Sequence, residues 1–110
     1  MDKKKLIEKI NQLRKDKKAI VLAHVYTSPE VQDIADYVGD SLGLSQKAAS
    51  LEDEIEIIVF CGVYFMAETA ALLSPGKKVL IPDINAGCPM AAMASLNKVK
   101  AMKLQNPKAT

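Results

Sequence analysis

The sequence predicts an α/β fold, a three-layer αβα sandwich around a short parallel sheet. Three apolar runs, at residues 19–23, 56–60 and 78–81, are typical of buried strands. Parallel strands are covered by helices on both faces, so they are continuously apolar rather than alternating. Helical segments separate these runs and are long enough for parallel crossovers.

Residues 1–110 have the size and composition of one globular domain. Hydrophobic residues make up 49% of the chain and charged residues 25%, and the formal net charge is +2. The longest apolar run, residues 57–67, is too short to cross a bilayer. So small a charge does not favour nucleic-acid binding. We therefore expect neither nucleic acid nor a membrane as a partner.

The cysteines indicate a reducing compartment. Cys61 and Cys88 are far apart in the sequence, and no continuous apolar stretch of a secretion signal follows the basic start. These features predict reduced thiols in a cytoplasmic protein. The chain stops at residues 106–110, where a further strand is expected to begin. We therefore expect a single domain that is cut short before its last strand.

The amino-terminal segment predicts a helix and then the first strand. Residues 3–16 place apolar side chains at helical spacing among lysines and acids, which is typical of an amphipathic helix. A polar turn leads into the apolar run at 19–23, which stops at His24.

A second helix begins with a strong start signal. Ser28 is an N-cap residue, and Pro29 occupies the first helical position. The apolar spacing continues to Val38, so we expect this helix to end at Gly39. A shorter helix is then expected to begin near Ser41.

The second half of the chain repeats the alternation of strand and helix. We expect a helix at 65–73 after the strand at 56–60, and a final helix from Cys88 to about Gln105 after the strand at 78–81. This alternation gives three strands, which are few for an open parallel sheet.

Chemically versatile side chains follow each predicted strand. Open parallel sheets bind ligands beyond the carboxyl ends of their strands, so these junctions are the places to expect a site. The side chains in question are His24 and Tyr26 after the first strand, Cys61, Tyr64, Phe65 and Met66 after the second, and Asp83, Asn85 and Cys88 after the third.

His24 and Tyr26 each allow two interpretations. A histidine at a strand end can hydrogen-bond a bound carboxylate or phosphate, or can serve a purely structural purpose. The Tyr26 hydroxyl lies beside it in sequence, and its ring can equally well pack at the helix entry. The Phe65 and Met66 pair is more often part of a core than a cofactor contact.

The two cysteines differ in their predicted surroundings. Cys88 lies at a predicted helix N-terminus, which favours a thiolate that acts as a nucleophile or metal ligand, although a small buried side chain is an equal alternative. Cys61 ends an apolar strand, which favours simple burial.

Several common sites are not indicated. The turn from His24 to Pro29 contains no glycine, which disfavours the glycine-rich cradles of NAD and ATP sites. Two distant cysteines and one histidine do not supply the four ligands of a zinc or iron–sulfur motif, so spacing alone leaves a metal unproven.

Four segments together resemble the amino-terminal part of quinolinate synthases. They read A-H-V-Y at 23–26, P-E-V-Q-D-I-A-D-Y-V-G-D-S-L at 29–42, F-x-G-V-x-F-M-A-E at 60–68 and A-G-C-P-M-A at 86–91. The resemblance runs from about residue 18 to the end of the chain. Four motifs in the right order are much more specific than any one of them.

The resemblance implies an activity and a cofactor. Quinolinate synthases are transferases that condense iminoaspartate with dihydroxyacetone phosphate to quinolinate in de novo NAD biosynthesis. They use a [4Fe-4S] cluster held by one cysteine from each of three similar αβα domains. This chain resembles the first domain, so the resemblance implies the remaining domains as partners and an inactive chain when these 110 residues stand alone.

The resemblance also implies roles for single residues. Cys88 corresponds to the cluster ligand of the first domain, and Tyr26 to a catalytic or substrate-orienting residue. The substrate-binding positions that it implies are His24, Ser41, Phe65 and Met66. The competing hypothesis from another class is a non-catalytic αβα binding or interaction module.

Overall fold

A computed structural model describes residues 2–109 of the chain. Within this range it contains one sheet of parallel strands with helices packed against it, so the α/β sandwich prediction is confirmed. The strands are β1 (Ala19–His24), β2 (Tyr37–Gly39), β3 (Ile57–Cys61) and β4 (Lys78–Leu80). The helices are α1 (Lys3–Asp16), α2 (Pro29–Ile34), α3 (Ser41–Ala49), α4 (Tyr64–Leu73), α5 (Pro89–Ala92) and α6 (Leu96–Gln105).

The strand order is β2-β1-β3-β4. The chain moves from β1 outward to β2, then crosses back over β1 to begin β3, and continues outward to β4. The direction of winding therefore reverses between β1 and β3, and such a switch point opens a crevice at the carboxyl ends of the two central strands.

The core lies between the sheet and the helices α3 and α4. Alternate residues of β1 and β3 point to this side, and the largest of them are completely buried. They pack against small and apolar side chains of the two helices, which lets the helix backbones approach the sheet. The members of this cluster are Ile20, Leu22, Ile58 and Phe60 from the strands, and Leu44, Ala48, Met66, Ala67 and Ala70 from the helices.

The prediction of a helix over residues 28–39 is wrong in its second half. Helix α2 ends at Ile34, Ala35 is extended, and β2 pairs in parallel with β1. The Asp36 carboxylate accepts a hydrogen bond of 2.7 Å from the backbone N–H of Val21, and Arg14 Nη1 donates to the same oxygen at 2.9 Å. These partners are distant in sequence, so the local apolar spacing could not reveal them.

Two other expectations need correction. The sheet within residues 2–109 has four strands rather than the predicted three, because residues 37–39, whose spacing predicts a helix, form β2. The final helix is also interrupted: α5 stops at Ala92, and α6 starts after Ser95, whose hydroxyl accepts from the backbone N–H of Lys98 at 3.3 Å. None of the helices between residues 2 and 109 is long and apolar enough to cross a membrane.

Candidate active site

A cavity of about 450 Å³ opens at the carboxyl edge of the sheet, at the switch point between β1 and β3. Its wall is mostly apolar, with a few polar groups at the ends of the strands. The structure brings all six candidate residues together there: His24, Tyr26, Ser41, Phe65, Met66 and Cys88.

His24 is the last residue of β1 and is only 9% exposed. Its Nδ1 atom accepts a hydrogen bond of 3.1 Å from the backbone N–H of Tyr26. Its Nε2 atom faces the Ser41 hydroxyl at 3.5 Å. The ring is therefore held from one side by the backbone, and its other nitrogen is directed toward the cavity.

Ser41 is the first residue of α3, directly after the short strand β2. Asp40 caps this helix, since its carboxylate accepts from the backbone N–H of Gly43 at 2.7 Å. The cap fixes where the first turn begins and so sets the position of Ser41. The Ser41 hydroxyl also donates toward the sulfur of Met66, at 3.6 Å.

Tyr26 lies in the turn between β1 and α2. Gln32 stabilises this turn, because its side-chain amide donates to the carbonyl groups of Val25 and Thr27 at 2.9 and 2.8 Å. The Tyr26 ring packs near the His24 ring, with 4.8 Å between centroids, yet the residue is 92% exposed. Its phenol therefore stands at the mouth of the cavity.

Phe65 and Met66 lie in the first turn of helix α4, line the cavity and differ in burial. Met66 belongs to the core cluster, whereas Phe65 is exposed. The expectation that this pair is buried in the core is therefore correct for Met66, which also lines the cavity, and wrong for Phe65.

Cys88 lies on a loop that is tied down by its own hydrogen bonds. The Asp83 carboxylate accepts from the backbone N–H of Asn85 at 2.9 Å, and its carbonyl accepts from Ala86 at 3.1 Å. The carbonyl of Ala86 in turn accepts from the backbone N–H of Tyr64 at 2.8 Å, which fixes the loop to the start of α4. Cys88 is half-buried and lines the cavity.

The electrostatic argument for Cys88 is weaker than its sequence suggested. Cys88 does precede a helix, but α5 has only four residues, and the Cys88 side chain makes no capping hydrogen bond. A helix of one turn has a small dipole, so the loop and cavity rather than a long helix define the surroundings of this thiol.

Cys61 ends β3 and lines the same cavity. Burial raises the pKa of the Cys61 thiol, because an apolar environment disfavours the thiolate. The sequence-based expectation of an apolar, unreactive environment for this residue agrees with that direction. The sequence also placed Cys61 at the same sheet edge as His24 and Cys88, and all three line the cavity.

The ligand-type side chains of this region do not form a complete metal site by themselves. Among residues 2–109, no group of three or more histidine, cysteine, aspartate or glutamate side chains is arranged to hold a metal ion. Cys88 offers one thiolate of the kind that iron–sulfur clusters require.

A comparison with protein families shows to which family this chain belongs. The family model described as NadA, Quinolinate synthetase A protein, matches residues 8–110. The chain belongs to the quinolinate synthetase A family. The resemblance seen in the four sequence motifs is thereby confirmed.

Curated members of the family are closely similar to this chain. A quinolinate synthase of Sulfurihydrogenibium sp. is 59% identical over 109 residues, which are 99% of this chain and 35% of that protein. The quinolinate synthase of Desulforudis audaxviator is 59% identical over 91% of this chain, and that of Methanosarcina barkeri is 51% identical over 99%. The chain thus spans about a third of the length of these relatives.

The cavity also includes two residues that the sequence placed after predicted strands without assigning them a function. Asp83 follows β4 and lines the cavity, as Cys61 does. The signal that pointed to them is the one that pointed to His24, namely a polar or ionisable side chain after a buried strand. Gly62 also lines this cavity, where a Cβ atom would lie 2.8 Å from the Phe60 ring and 3.5 Å from His24 Cβ.

Proposed function

We propose that this chain supplies part of the active site of a quinolinate synthase, a transferase that condenses iminoaspartate with dihydroxyacetone phosphate to quinolinate in de novo NAD biosynthesis. The observation that carries the proposal is that His24, Ser41 and Cys88, from three separate junctions, line the same cavity. Membership of the family supports the same conclusion.

The cavity suits a small, anionic substrate with an apolar backbone. His24 and Ser41 place hydrogen-bonding groups 3.5 Å apart, within reach of one carboxylate of iminoaspartate. Phe65 and Met66 form an apolar wall, which excludes water and strengthens those hydrogen bonds. We therefore assign substrate binding to these four residues.

Tyr26 is assigned a catalytic part. Its phenol stands at the cavity mouth, beside the His24 ring, where it would meet a substrate held by His24. A phenol hydroxyl can donate or accept a proton in a transition state. We propose that it assists proton transfer on the bound substrate or orients it for condensation.

Cys88 is assigned as the ligand that this chain gives to a [4Fe-4S] cluster. Thiolate is the ligand type of such clusters, and the Asp83 loop holds the Cys88 thiol at the cavity wall. When bound, a cluster with one open iron would supply a Lewis acid for a carboxylate or hydroxyl of the substrate. The proposal assigns the other ligands to two further domains of the complete enzyme.

The proposal names the partners as the two small-molecule substrates and the remaining quinolinate synthase domains. It also assigns the enzyme to the cytoplasm, where the two free cysteines would stay reduced.

The test uses an extended protein, defined as this chain followed by the part of the Sulfurihydrogenibium relative that lies beyond the 109 matched residues. It is reconstituted with iron and sulfide without oxygen and assayed with iminoaspartate and dihydroxyacetone phosphate. The native relative serves as the positive control. We expect quinolinate from the extended protein and none from the 110-residue chain alone. A folded extended protein that makes no quinolinate would favour the non-catalytic module instead.

A further inference from the structure

His24 is held in a way that decides which of its nitrogens carries the proton. The backbone N–H of Tyr26 lies 3.1 Å from Nδ1 and can only donate, so Nδ1 must present a lone pair. A proton on Nδ1 would set two N–H donors against each other. The single proton of the neutral ring therefore belongs on Nε2.

The other side of the ring is compatible with this tautomer. The Ser41 hydroxyl can donate toward the Met66 sulfur at 3.6 Å, which leaves an oxygen lone pair available to the imidazole. Nε2 lies 3.5 Å from that oxygen. A proton on Nε2 can be donated to the Ser41 oxygen when the serine hydroxyl points toward Met66. An unprotonated Nε2 would then face the Ser41 oxygen with no hydrogen between the two atoms.

We propose that His24 acts as the Nε2-protonated neutral tautomer, fixed by the backbone N–H of Tyr26, and that it donates a hydrogen bond to a ligand carboxylate instead of accepting a proton as a base. Tyr26 is then a positioning residue through its main chain, in addition to the part assigned to its phenol. The tautomer does not depend on the proposed function, but the identity of the carboxylate rests on it.

The turn that follows His24 is itself held by hydrogen bonds. The carbonyl of His24 accepts hydrogen bonds from the backbone N–H of Thr27 at 2.9 Å and from its hydroxyl at 2.7 Å. These bonds close the turn that brings the Tyr26 N–H back over Nδ1. The tautomer is therefore set by the fold of the turn, before any ligand enters the cavity.

The chain contains one histidine, so a single pair of imidazole nitrogen signals reports on the proposal. Long-range 1H–15N correlation spectra of the 15N-labelled 110-residue chain are recorded at pH 8. We expect Nε2 at the shift of a protonated nitrogen and Nδ1 at that of an unprotonated one. The reverse assignment, or one averaged signal from exchanging tautomers, overturns the proposal.

Two variants test what sets the tautomer. Ser41→Ala removes the group opposite Nε2, and Tyr26→Phe removes the phenol but keeps the backbone N–H. We expect both to keep the wild-type pattern, since neither touches the bond to Nδ1. A change of tautomer in Ser41→Ala would show that the serine sets it, which contradicts the proposal.

The donor role is tested in the extended protein once it makes quinolinate. Glutamine can place an amide N–H close to the position of Nε2–H but cannot act as a base. We expect His24→Gln to retain at least tenfold more activity than His24→Ala. Equal loss in the two variants overturns the donor role. The NMR result remains separate from any failure of the extended protein to make quinolinate.

Discussion

The Ser41 hydroxyl lies 3.5 Å from Nε2 of His24, although 17 residues separate them in the sequence. They are neighbours because β2 pairs with β1 in a register that sets Gly39 opposite His24. Helix α3 then begins at Ser41, at the same sheet edge. The short strand β2 is therefore what assembles the polar side of the cavity.

Replacing Ser41 by alanine in the extended protein is expected to weaken substrate binding. A hydrogen bond to a charged group contributes about 1.5–3 kcal/mol, so kcat/KM for iminoaspartate should fall roughly tenfold to a hundredfold. Steady-state kinetics measures this. Ser50→Ala is the matched control, because Ser50 lies exposed at the other end of α3, bonded to the carbonyl of Lys47. Equal effects of the two substitutions on kcat/KM would show that Ser41 does not bind the substrate.

Asp36→Ala is expected to destabilise the chain by about 1–3 kcal/mol, since it leaves the Val21 N–H and Arg14 without their shared acceptor. Urea unfolding measures the change. The control is Asp33→Ala, which removes an exposed carboxylate from the end of α2. A loss no greater than that of the control would mean that Asp36 does not anchor β2.

Gly62→Ala is expected to cost about 1–3 kcal/mol, because its Cβ would lie 2.8 Å from the Phe60 ring beside His24. Gly76→Ala is the matched control: no atom lies within 4 Å of its Cβ position, and no described glycine has a positive φ. This control should be neutral or up to about 1 kcal/mol more stable. Thermal unfolding of both variants decides the point, and equal melting temperatures would contradict the tight packing at Gly62.

The two thiols are expected to differ in reactivity. Burial raises the pKa of Cys61, so a smaller fraction of it is thiolate at pH 8. Cys88, on its loop at the cavity wall, should therefore be alkylated faster by iodoacetamide. Mass spectrometry of the Cys61→Ser and Cys88→Ser variants measures each remaining thiol. A Cys61 that reacts as fast as Cys88, or faster, would contradict the assigned environments.

The sequence predicts much of this fold because buried parallel strands have a strong local signature. The apolar runs that lead to His24 and Cys61 predict two of the strands. Because ligands bind beyond the carboxyl ends of parallel strands, the residues that follow these runs are predicted to lie at one edge of the sheet. The strand at Tyr37–Gly39 was missed because its pairing depends on Asp36 and Arg14, which meet only in the folded chain. The apolar residues up to Val38 have helical spacing, which predicts a helix. A short stretch of sequence does not contain the contact with Arg14 that favours the strand.

The candidate site was also only partly predictable from the sequence. The positions of His24 and Cys88 after predicted strands place them at one edge of the sheet. The sequence could not show that α5 is a single turn or that Asp83 holds the loop. Those features depend on where the hydrogen bonds of the folded loop form, from the Asp83 carboxylate and from backbone groups, which residue identity alone does not specify.

Cluster content in the extended protein tests the central assignment most directly. After anaerobic reconstitution, iron and sulfide analysis with Mössbauer spectroscopy is applied to wild type, Cys88→Ser and Cys61→Ser. We expect one [4Fe-4S] cluster per chain in wild type and Cys61→Ser, and loss of most of it in Cys88→Ser, because the proposal assigns Cys88, and not Cys61, as the cluster ligand from residues 1–110. A full cluster in Cys88→Ser, or its loss in Cys61→Ser alone, would contradict the account.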